Sequence, residues 1–439
     1  MKNWLFKRID NSSLIIFRII FGLLITLEAW GAITTGWVNE VLVSPDFTFN
    51  FLGLDFLQYL QGPYMYIHFV IMGCFGLMVM LGFRYKIGIY GYTIFWMAAY
   101  FMQKSAYNNH YYLLILILFF MCLAPAHRYF SLDVKRNPEL ARISMPNWIR
   151  VFIIGQLWVV YTFASVAKFY PDWLDGTFPE LLMNGKRNLI WVGDWLQTDF
   201  AHQSIIYVGV LFDLLVIPLL LWKPTRKFIF VFSIFFHLFN SLVFHIGIFP
   251  YLSLAFTLFF FSAESINRNF INRKPLYTNQ EVKLPGQEKQ NIIPVFMAIW
   301  FFIQIALPLR HHFIKSDVLW SEEGHRLSWR MMLRAKQGIT TYRVVDKQTG
   351  EETKIQPAKY ISNRQHKVMS KSDCIWQLAQ RIHKDFLETG RDVEVYANTK
   401  IKVNARPYYR LIDPNVDLAR AKFNYFTTNT WILPTPENF

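Results

Sequence analysis

The sequence has 439 residues, of which 53% are hydrophobic, and carries a net charge of +15. In a soluble protein that charge would suggest nucleic-acid binding, but much of it lies in short loops between long apolar runs, so membrane topology accounts for it. The three cysteines have neither the spacing of metal ligands nor that of a disulfide framework.

The first 310 residues contain nine apolar segments that are candidates for membrane-spanning helices. The third, fourth and eighth are short or interrupted by glycine or proline, so the count could be eight. No small-residue cleavage site follows the first segment, which favours a retained helix over a signal peptide. The segments are 13–33, 64–83, 86–102, 111–125, 150–168, 204–222, 226–245, 247–263 and 293–309.

The distribution of basic residues predicts the orientation of these spans. With a cytoplasmic N-terminus, the outer loops hold only Lys104, Lys168, Lys186 and Arg187, and most other basic residues of this region fall on the inner side. This asymmetry fits nine spans and predicts two domains. Residues 1–310 form a multispan membrane domain, and residues 311–439 form an extracytoplasmic domain.

The fifth apolar segment ends on a lysine, Lys168, which is followed by Phe169, Tyr170 and the helix-ending Pro171. The lysine therefore lies near the outer membrane boundary. Apolar surroundings favour the neutral form of an amine, because desolvation penalises the charge, and a neutral lysine can act as a base near neutral pH. The alternative is a lysine that extends to the interface and marks a helix end.

Other polar residues also cluster at the predicted outer face. Asn108–His110 opens the fourth span, and Asn240 and His245 close the seventh. Ionisable groups at membrane depth are candidates for function. The alternatives are a helix N-cap for the asparagines and hydrogen bonds to a neighbouring helix for His237 and His245. Lys104 is predicted to be an interface anchor.

Residues 265–292 are predicted to be a cytoplasmic linker with little fixed structure, and residues 311–439 a β-rich α+β domain. His311 and His312 are adjacent, but no further ligand follows at a metal-binding spacing, so we expect no metal site. The predicted elements of the outer domain are strands at Ser328–Arg334, Thr340–Val345 and Glu394–Val403, the last continuing through Ala405, a turn at 346–350 and a helix from about Ser370 to Glu388.

Several short stretches share their order with one family of membrane enzymes. These are Asn108–Leu113, Ala164–Trp173, Phe236–Ser241, Phe244–Tyr251, Leu307–Pro308, Ser328–Met332 and Ile412–Asp417. On these stretches nearly the whole chain resembles the vitamin K-dependent gamma-glutamyl carboxylase family, including its bacterial members with a horizontally transferred transmembrane (HTTM) domain.

The resemblance implies a multi-pass enzyme, expected in a bacterial inner membrane, that uses reduced vitamin K (phylloquinol or menaquinol), oxygen and carbon dioxide, with no metal. In the family the hydroquinone is deprotonated and reacts with oxygen, and the strong base formed removes a γ-proton from a peptide glutamate. Carbon dioxide then adds, and the quinone leaves as its epoxide. The implied partners are a glutamate-containing peptide or protein, membrane lipid and a quinone reductase, and no nucleic acid.

The resemblance also implies roles for individual residues. Lys168 matches the base, and it stands alone because Ala167 replaces the first lysine of the animal motif. His110 would stabilise charge on the quinone oxygens, and Met331 and Met332 would lie beside the ring, with ordinary strand packing as the alternative for both. Three further residues complete the expected cofactor-binding set, namely Asn109, Asn240 and His245.

The substrate carboxylate is expected on an arginine of the outer domain, because guanidinium grips a carboxylate in a bidentate fork. Arg364, Arg406 and Arg410 are the candidates, and the sequence does not choose among them.

Two other functions stay open. The first is a quinol oxygenase that forms the epoxide without carboxylation. The second is a non-catalytic quinone- or lipid-binding protein or a transporter. A transporter would more often contain internal repeats and broken helices at the membrane midplane, and the sequence has no such repeat.

Overall fold

A computed structural model describes residues 2–279, 287–437 and 439 of the chain, and side chains are described in it except those of Lys2 and residues 287–291. The described part is mostly helical. Its helices are α1 (Lys2–Phe6), α2 (Ser12–Thr34), α3 (Tyr64–Leu81), α4 (Tyr85–Met102), α5 (Asn109–Leu123), α6 (Leu132–Arg136), α7 (Trp148–Val166), α8 (Pro171–Leu174), α9 (Thr177–Asn184), α10 (Asp199–Leu221), α11 (Lys223–Phe244), α12 (Phe249–Phe256), α13 (Ala263–Phe270), α14 (Gln287–Leu309), α15 (Val318–Ser321) and α16 (Ser372–Glu388).

The nine predicted apolar segments all coincide with helices. Among the described residues, six helices are long and apolar enough to cross a membrane, namely α2, α3, α7, α10, α11 and Ile292–Phe313, which overlaps α14. The other three are α4, α5 and α12, and the last two are short apolar helices. These are the segments whose length or continuity is weakest in the sequence, and the nine-span topology stays a prediction.

Small residues allow the first two spans to pack closely. A side chain at Gly22 of α2 would place its Cβ 2.3 Å from the backbone nitrogen of Met80, so only glycine fits there. Gly76 of α3 likewise faces the backbone of Thr26. Close backbone approach of this kind is a main source of helix association in a membrane, where the lipid is as apolar as the side chains.

At the predicted inner face the chain is better ordered than expected. Strands β1 (Arg8–Asp10) and β2 (Ser144–Pro146) pair antiparallel, and Lys274 Nζ lies 2.8 Å from Asp10 Oδ2. The prediction of an unstructured linker over 265–292 is therefore wrong for its first part, which contains most of α13 and this buried ion pair. Residues 280–286 of that linker lie outside the described residues.

The outer domain contains one small antiparallel sheet with the strand order β4 (Glu352–Ile355), β3 (Lys336–Asp346) and β5 (Val393–Val403). The predicted strands at 340–345 and 394–403 lie within β3 and β5, and the predicted helix is α16, which packs on the sheet through a shared apolar core. The turn at 346–350 is also confirmed, with Gly350 N–H donating to Asp346 O at 2.8 Å.

Two strand predictions are wrong. Residues 328–334 form an irregular loop, because Trp329 and Met332 have left-handed backbone angles of φ 56° and 50°, which a strand cannot accommodate. The strand predicted through Ala405 ends at Val403, since Asn404 is also left-handed with φ 52°. The domain is thus a small sheet with a helix and long loops rather than β-rich.

A buried charge cluster connects the membrane domain to the outer domain. The Asp373 carboxylate lies 3.1 Å from Lys104 Nζ and 2.5 Å from Arg326 Nη1. Lys104 is fully buried, so its prediction as an interface anchor is wrong. Burial would raise the pKa of Asp373, but the attraction of Arg326 and Lys104 outweighs it and holds that pKa well below its usual value.

We predict that Asp373→Asn lowers the free energy of unfolding by about 3–5 kcal/mol, because it leaves two buried cations without a counter-charge. Thermal unfolding of the purified protein in detergent measures the loss. The control is Glu352→Gln, which breaks the exposed pair with Arg343 and should cost less than about 1 kcal/mol. Equal losses in the two variants would contradict the assignment.

The pH dependence provides a second check on the same cluster. A carboxyl whose folded pKa is depressed contributes its full stability above the unfolded pKa of about 3.9 and loses it as the pH falls through the lower folded value. The difference in melting temperature between wild type and Asp373→Asn should therefore be constant from about pH 8 down to about pH 5.

Candidate functional site

A cavity of about 380 Å³ lies among α7, α10 and α11, near the predicted outer face. Its wall is mostly apolar and aromatic. The cavity brings together five residues that the sequence analysis selected from distant parts of the chain, namely His110, Lys168, Asn240, Met331 and Met332. An enclosed apolar space with a few polar groups is the usual form of a small-molecule site.

Lys168 forms the charged end of this cavity. Helix α7 ends at Val166, and the turn that follows directs Lys168 back towards α10, where its Nζ donates to Gly209 O at 3.1 Å. The ammonium also lies 5.4 Å from the centre of the Trp173 ring, within the range of a cation–π interaction. Lys168 is only 7% exposed, so the alternative of a lysine that reaches out to the interface is wrong.

The carboxylate of Asp213 is in direct contact with the Lys168 ammonium. Asp213 lies inside the span α10 and lines the same cavity, and it was missed by the sequence analysis. The available signal was a single acidic residue within a long apolar run, which marks a functional candidate by default. The sequence analysis expects apolar surroundings for Lys168, whereas the structure places a carboxylate against its Nζ, so the site holds an ion pair with no net charge.

Two histidines face the cavity. The ring of His110, at the start of α5, stacks on Phe249 with 4.2 Å between ring centres, and His110 has no hydrogen bond to another described residue. Its ring nitrogens are therefore available to a ligand. His237 on α11 lies 3.1 Å from the Tyr161 hydroxyl on α7, which confirms for His237 the alternative of a bond to a neighbouring helix.

The two methionines reach the cavity from the outer domain. Met331 and Met332 belong to the irregular loop described above, in which Leu327, Trp329 and Met332 all have left-handed backbone angles. Such conformations are costly for residues other than glycine and persist where surrounding contacts impose them. The alternative of ordinary strand packing for the methionines is wrong, since the segment is not a strand.

A chain of hydrogen bonds holds this loop in place. Leu327 N–H donates to the Tyr107 hydroxyl at 2.6 Å, and that hydroxyl donates to Asn109 Oδ1 at 2.8 Å. Asn109 Nδ2 in turn donates to Arg330 O at 3.0 Å. Asn109 is thus not part of the cavity wall, and it acts on the site by positioning the loop that carries the methionines.

The structure does not bring the three predicted arginines to the cavity. Arg364 pairs with Glu40 at the surface, where both side chains are about half exposed. Arg406 binds the carboxylate of Asp172 with both of its terminal nitrogens, and Arg410 is exposed. None of the three lines the cavity, and a role for any of them in substrate binding stays a prediction.

The other polar residues that the sequence analysis selected at this face are Asn108, His245 and Asn240. Asn108 caps α5 by accepting from Tyr111 N–H at 2.8 Å, which confirms the N-cap alternative for this residue. His245 is exposed at the end of α11 with φ 54°, and it does not line the cavity. Asn240 lines the cavity while its Nδ2 donates to the backbone oxygen of Phe236 one turn earlier.

In the described part of the chain, there is no group of three or more His, Cys, Asp or Glu side chains that could hold a metal ion. The rings of His311 and His312 are tilted by 35° to each other with 4.0 Å between their centres, and His311 Nδ1 faces the Pro308 carbonyl.

Two family models match the chain. Residues 6–264 match the model described as HTTM domain, and residues 289–438 match the model described as vitamin K-dependent gamma-carboxylase, lumenal domain. No solved structure matches the chain.

We predict strong coupling between Lys168 and Asp213 in a double-mutant cycle. Lys168→Met and Asp213→Leu should each cost about 3–5 kcal/mol of unfolding free energy, because each leaves a buried charge unpaired. The double variant should be close to wild type, since two apolar side chains replace the pair. Thermal unfolding in detergent provides the values, and additive losses would contradict the ion pair.

Proposed function

Because the chain belongs to the vitamin K-dependent gamma-carboxylase family, we propose that it is a membrane carboxylase that binds a reduced naphthoquinone in the cavity beside Lys168. The observation that carries this proposal is a buried lysine at the end of an apolar cavity, facing His110 and the methionine pair. The acceptor would be a glutamate in a polypeptide, as the family acts on glutamate-containing protein substrates.

The described residues fit such a group. A cavity of about 380 Å³ with an aromatic wall suits a fused apolar ring, and thioether side chains adapt well to a flat aromatic surface. One wall belongs to α11, where Phe235 both lines the cavity and is 69% exposed. The cavity therefore reaches the surface that lipid would cover, which suits an isoprenoid or phytyl tail.

When bound, the reduced naphthoquinone supplies, together with oxygen, the strong base that takes the γ-proton of glutamate before carbon dioxide adds. The protein must supply a proton acceptor at the start of this sequence. Lys168 is the only lysine that lines the cavity among the described residues, and general-base catalysis by such a group contributes about 10²–10⁴-fold to a rate.

Asp213 determines how Lys168 can act as a base. Transfer of one proton from the Lys168 ammonium to the Asp213 carboxylate would convert the ion pair into an amine–carboxylic acid pair, and an apolar cavity lowers the cost of this transfer because it disfavours separated charges. With the proton on Asp213, the Lys168 amine is free to accept the phenolic proton. The ammonium that results would stabilise the negative charge that develops on the deprotonated hydroxyl oxygen.

His110 would bind a quinone oxygen through a ring nitrogen, since Phe249 fixes the plane of the imidazole and no described residue occupies its nitrogens. Asn109 would act indirectly, through the loop that positions Met331 and Met332.

The proposal includes the membrane orientation. A cytoplasmic N-terminus would place the outer domain on the extracytoplasmic side of a bacterial inner membrane, where secreted polypeptides pass. The name of the lumenal domain whose model matches residues 289–438 supports a non-cytoplasmic location for the part of that range that follows α14. A quinone reductase would be needed to regenerate the hydroquinone.

A second candidate function is quinol oxygenation without carboxylation. It is favoured by one observation, which is that none of the three predicted substrate arginines lies at the cavity. Labelled carbon dioxide with a glutamate peptide distinguishes the two functions, because only the carboxylase transfers the label.

We predict that purified wild type forms the epoxide from vitamin K hydroquinone and oxygen, and that Lys168→Ala lowers the rate by about 10²–10⁴-fold through loss of the base. Chromatography of the quinone products measures the rate. The matched control is Lys354→Ala, which removes an exposed lysine of β4 and should retain the wild-type rate. No epoxide from well-folded wild type, with either phylloquinol or menaquinol, would reject the proposal.

We predict that His110→Phe lowers epoxide formation by about 10²–10³-fold, the usual effect of removing one donor to a developing oxyanion. Phenylalanine keeps the stacking on Phe249, so a loss of rate reports the ring nitrogens rather than the packing. If the variant forms epoxide at a rate within about threefold of wild type, His110 takes no part in the reaction.

A further inference from the structure

A second cavity, of about 720 Å³, lies close to the cavity beside Lys168, which we call the quinone cavity. Two segments of the chain, one around Lys168 and one around Arg330, lie between the two cavities. Ala167 and Phe169 line the second cavity, whereas Lys168 lines the first, and Arg330 lines the second, whereas Met331 lines the first. Neighbouring residues of each segment thus line different cavities. The second one lies between the ends of α7 and α14 and the segments of the outer domain that follow α14.

Arg330 is a largely buried cation in this cavity without a carboxylate partner. No described carboxylate lies within 4.0 Å of its guanidinium, in contrast to Arg326, Arg334 and Arg406, each of which has an ion pair. Its Nε is buried and has no hydrogen bond to a described residue. Burial, together with the nearby charge of Arg334, lowers the pKa of Arg330 to about 10, and the carboxylate of Asp317 acts in the opposite direction without reaching contact distance. The group therefore stays charged at neutral pH and has no described carboxylate in direct contact.

The groups that contact Arg330 directly do not neutralise its charge. His311 Nδ1 lies 2.7 Å from the Pro308 carbonyl and must donate to it, so Nε2 of the neutral ring accepts from Arg330 Nη1 at 3.4 Å. The acid that lines this cavity, Asp317, accepts the backbone N–H groups of Leu319 and Trp320 as the cap of α15. Lys315 adds a second cation to the wall.

We propose that Arg330, positioned by His311, binds the side-chain carboxylate of an acidic residue in a polypeptide that enters the second cavity. The guanidinium fork matches a planar carboxylate, and a buried cation with only neutral partners gains most from an anion. A glutamate held there would lie one residue away from the methionines of the quinone cavity. The inference therefore rests on the proposed function, and it assigns the place at which the carboxylase would hold its glutamate substrate.

The test is binding of an acetylated and amidated tripeptide with a central glutamate, compared with its glutamine analogue, to the full chain in phosphatidylcholine nanodiscs by calorimetry. We expect wild type to bind the glutamate peptide about tenfold more tightly or better, the advantage of a hydrogen-bonded charge pair. Arg330→Gln should abolish this preference, and Arg330→Lys, which keeps the charge but not the fork, should reduce it.

Arg343→Gln is the matched control, since it removes an exposed arginine of β3 that is paired with Glu352, and it should retain the preference. Equal binding of the two peptides by wild type, or a preference that survives in Arg330→Gln, would overturn the inference. If Arg330→Gln does not show the wild-type thermal transition, the Arg330→Lys result decides.

Repeating the titration in phosphatidylglycerol nanodiscs tests a lipid headgroup as the occupant. Wild type could lose peptide binding in phosphatidylglycerol while Arg330→Gln regains it. That result would show that a lipid headgroup occupies the site, and it would overturn the inference. The proposed function fails separately. Glutamate-selective binding without epoxide formation would reject the carboxylase alone, and epoxide formation without glutamate-selective binding would reject this site alone.

Discussion

The contact between Lys168 and Asp213 is the interaction on which the candidate site depends. A lone ammonium in an apolar cavity would be costly, and a lone carboxylate inside a span equally so, but the pair is neutral and can be buried. The pair also joins α10 to the turn after α7, which are two walls of the cavity. One contact therefore shapes the site and, in the proposed function, holds the group that would accept the proton.

The outer domain completes the site rather than covering it. Its left-handed loop extends Met331 and Met332 into the quinone cavity, and the hydrogen bonds of Tyr107 and Asn109 fix that loop from the membrane side. The buried ion pairs of Asp373 with Lys104 and Arg326 connect the two domains. A site made at such a junction needs both domains, which explains why the chemistry would depend on residues more than 200 positions apart in sequence.

Apolar runs were sufficient to locate the helices, because the length and hydropathy of a span are local properties. Lys168 was found for a similar reason, since it ends such a run. Asp213 also has a local signal, as the one acidic residue in its apolar run, but its pairing with Lys168, 45 residues away, is not contained in any local pattern. The local composition of the loop around Trp329 predicts a strand, whereas its backbone angles are imposed by tertiary contacts such as that of Asn109.

The measurement that tests the central claim most directly is a cryo-electron microscopy structure of the protein in nanodiscs with vitamin K bound. The account predicts density for the fused ring in the cavity among α7, α10 and α11, with one quinone oxygen within hydrogen-bond distance of Lys168 Nζ and the ring against Met331 or Met332. Ring density elsewhere, or a cavity filled by a lipid chain at saturating vitamin K, would contradict it.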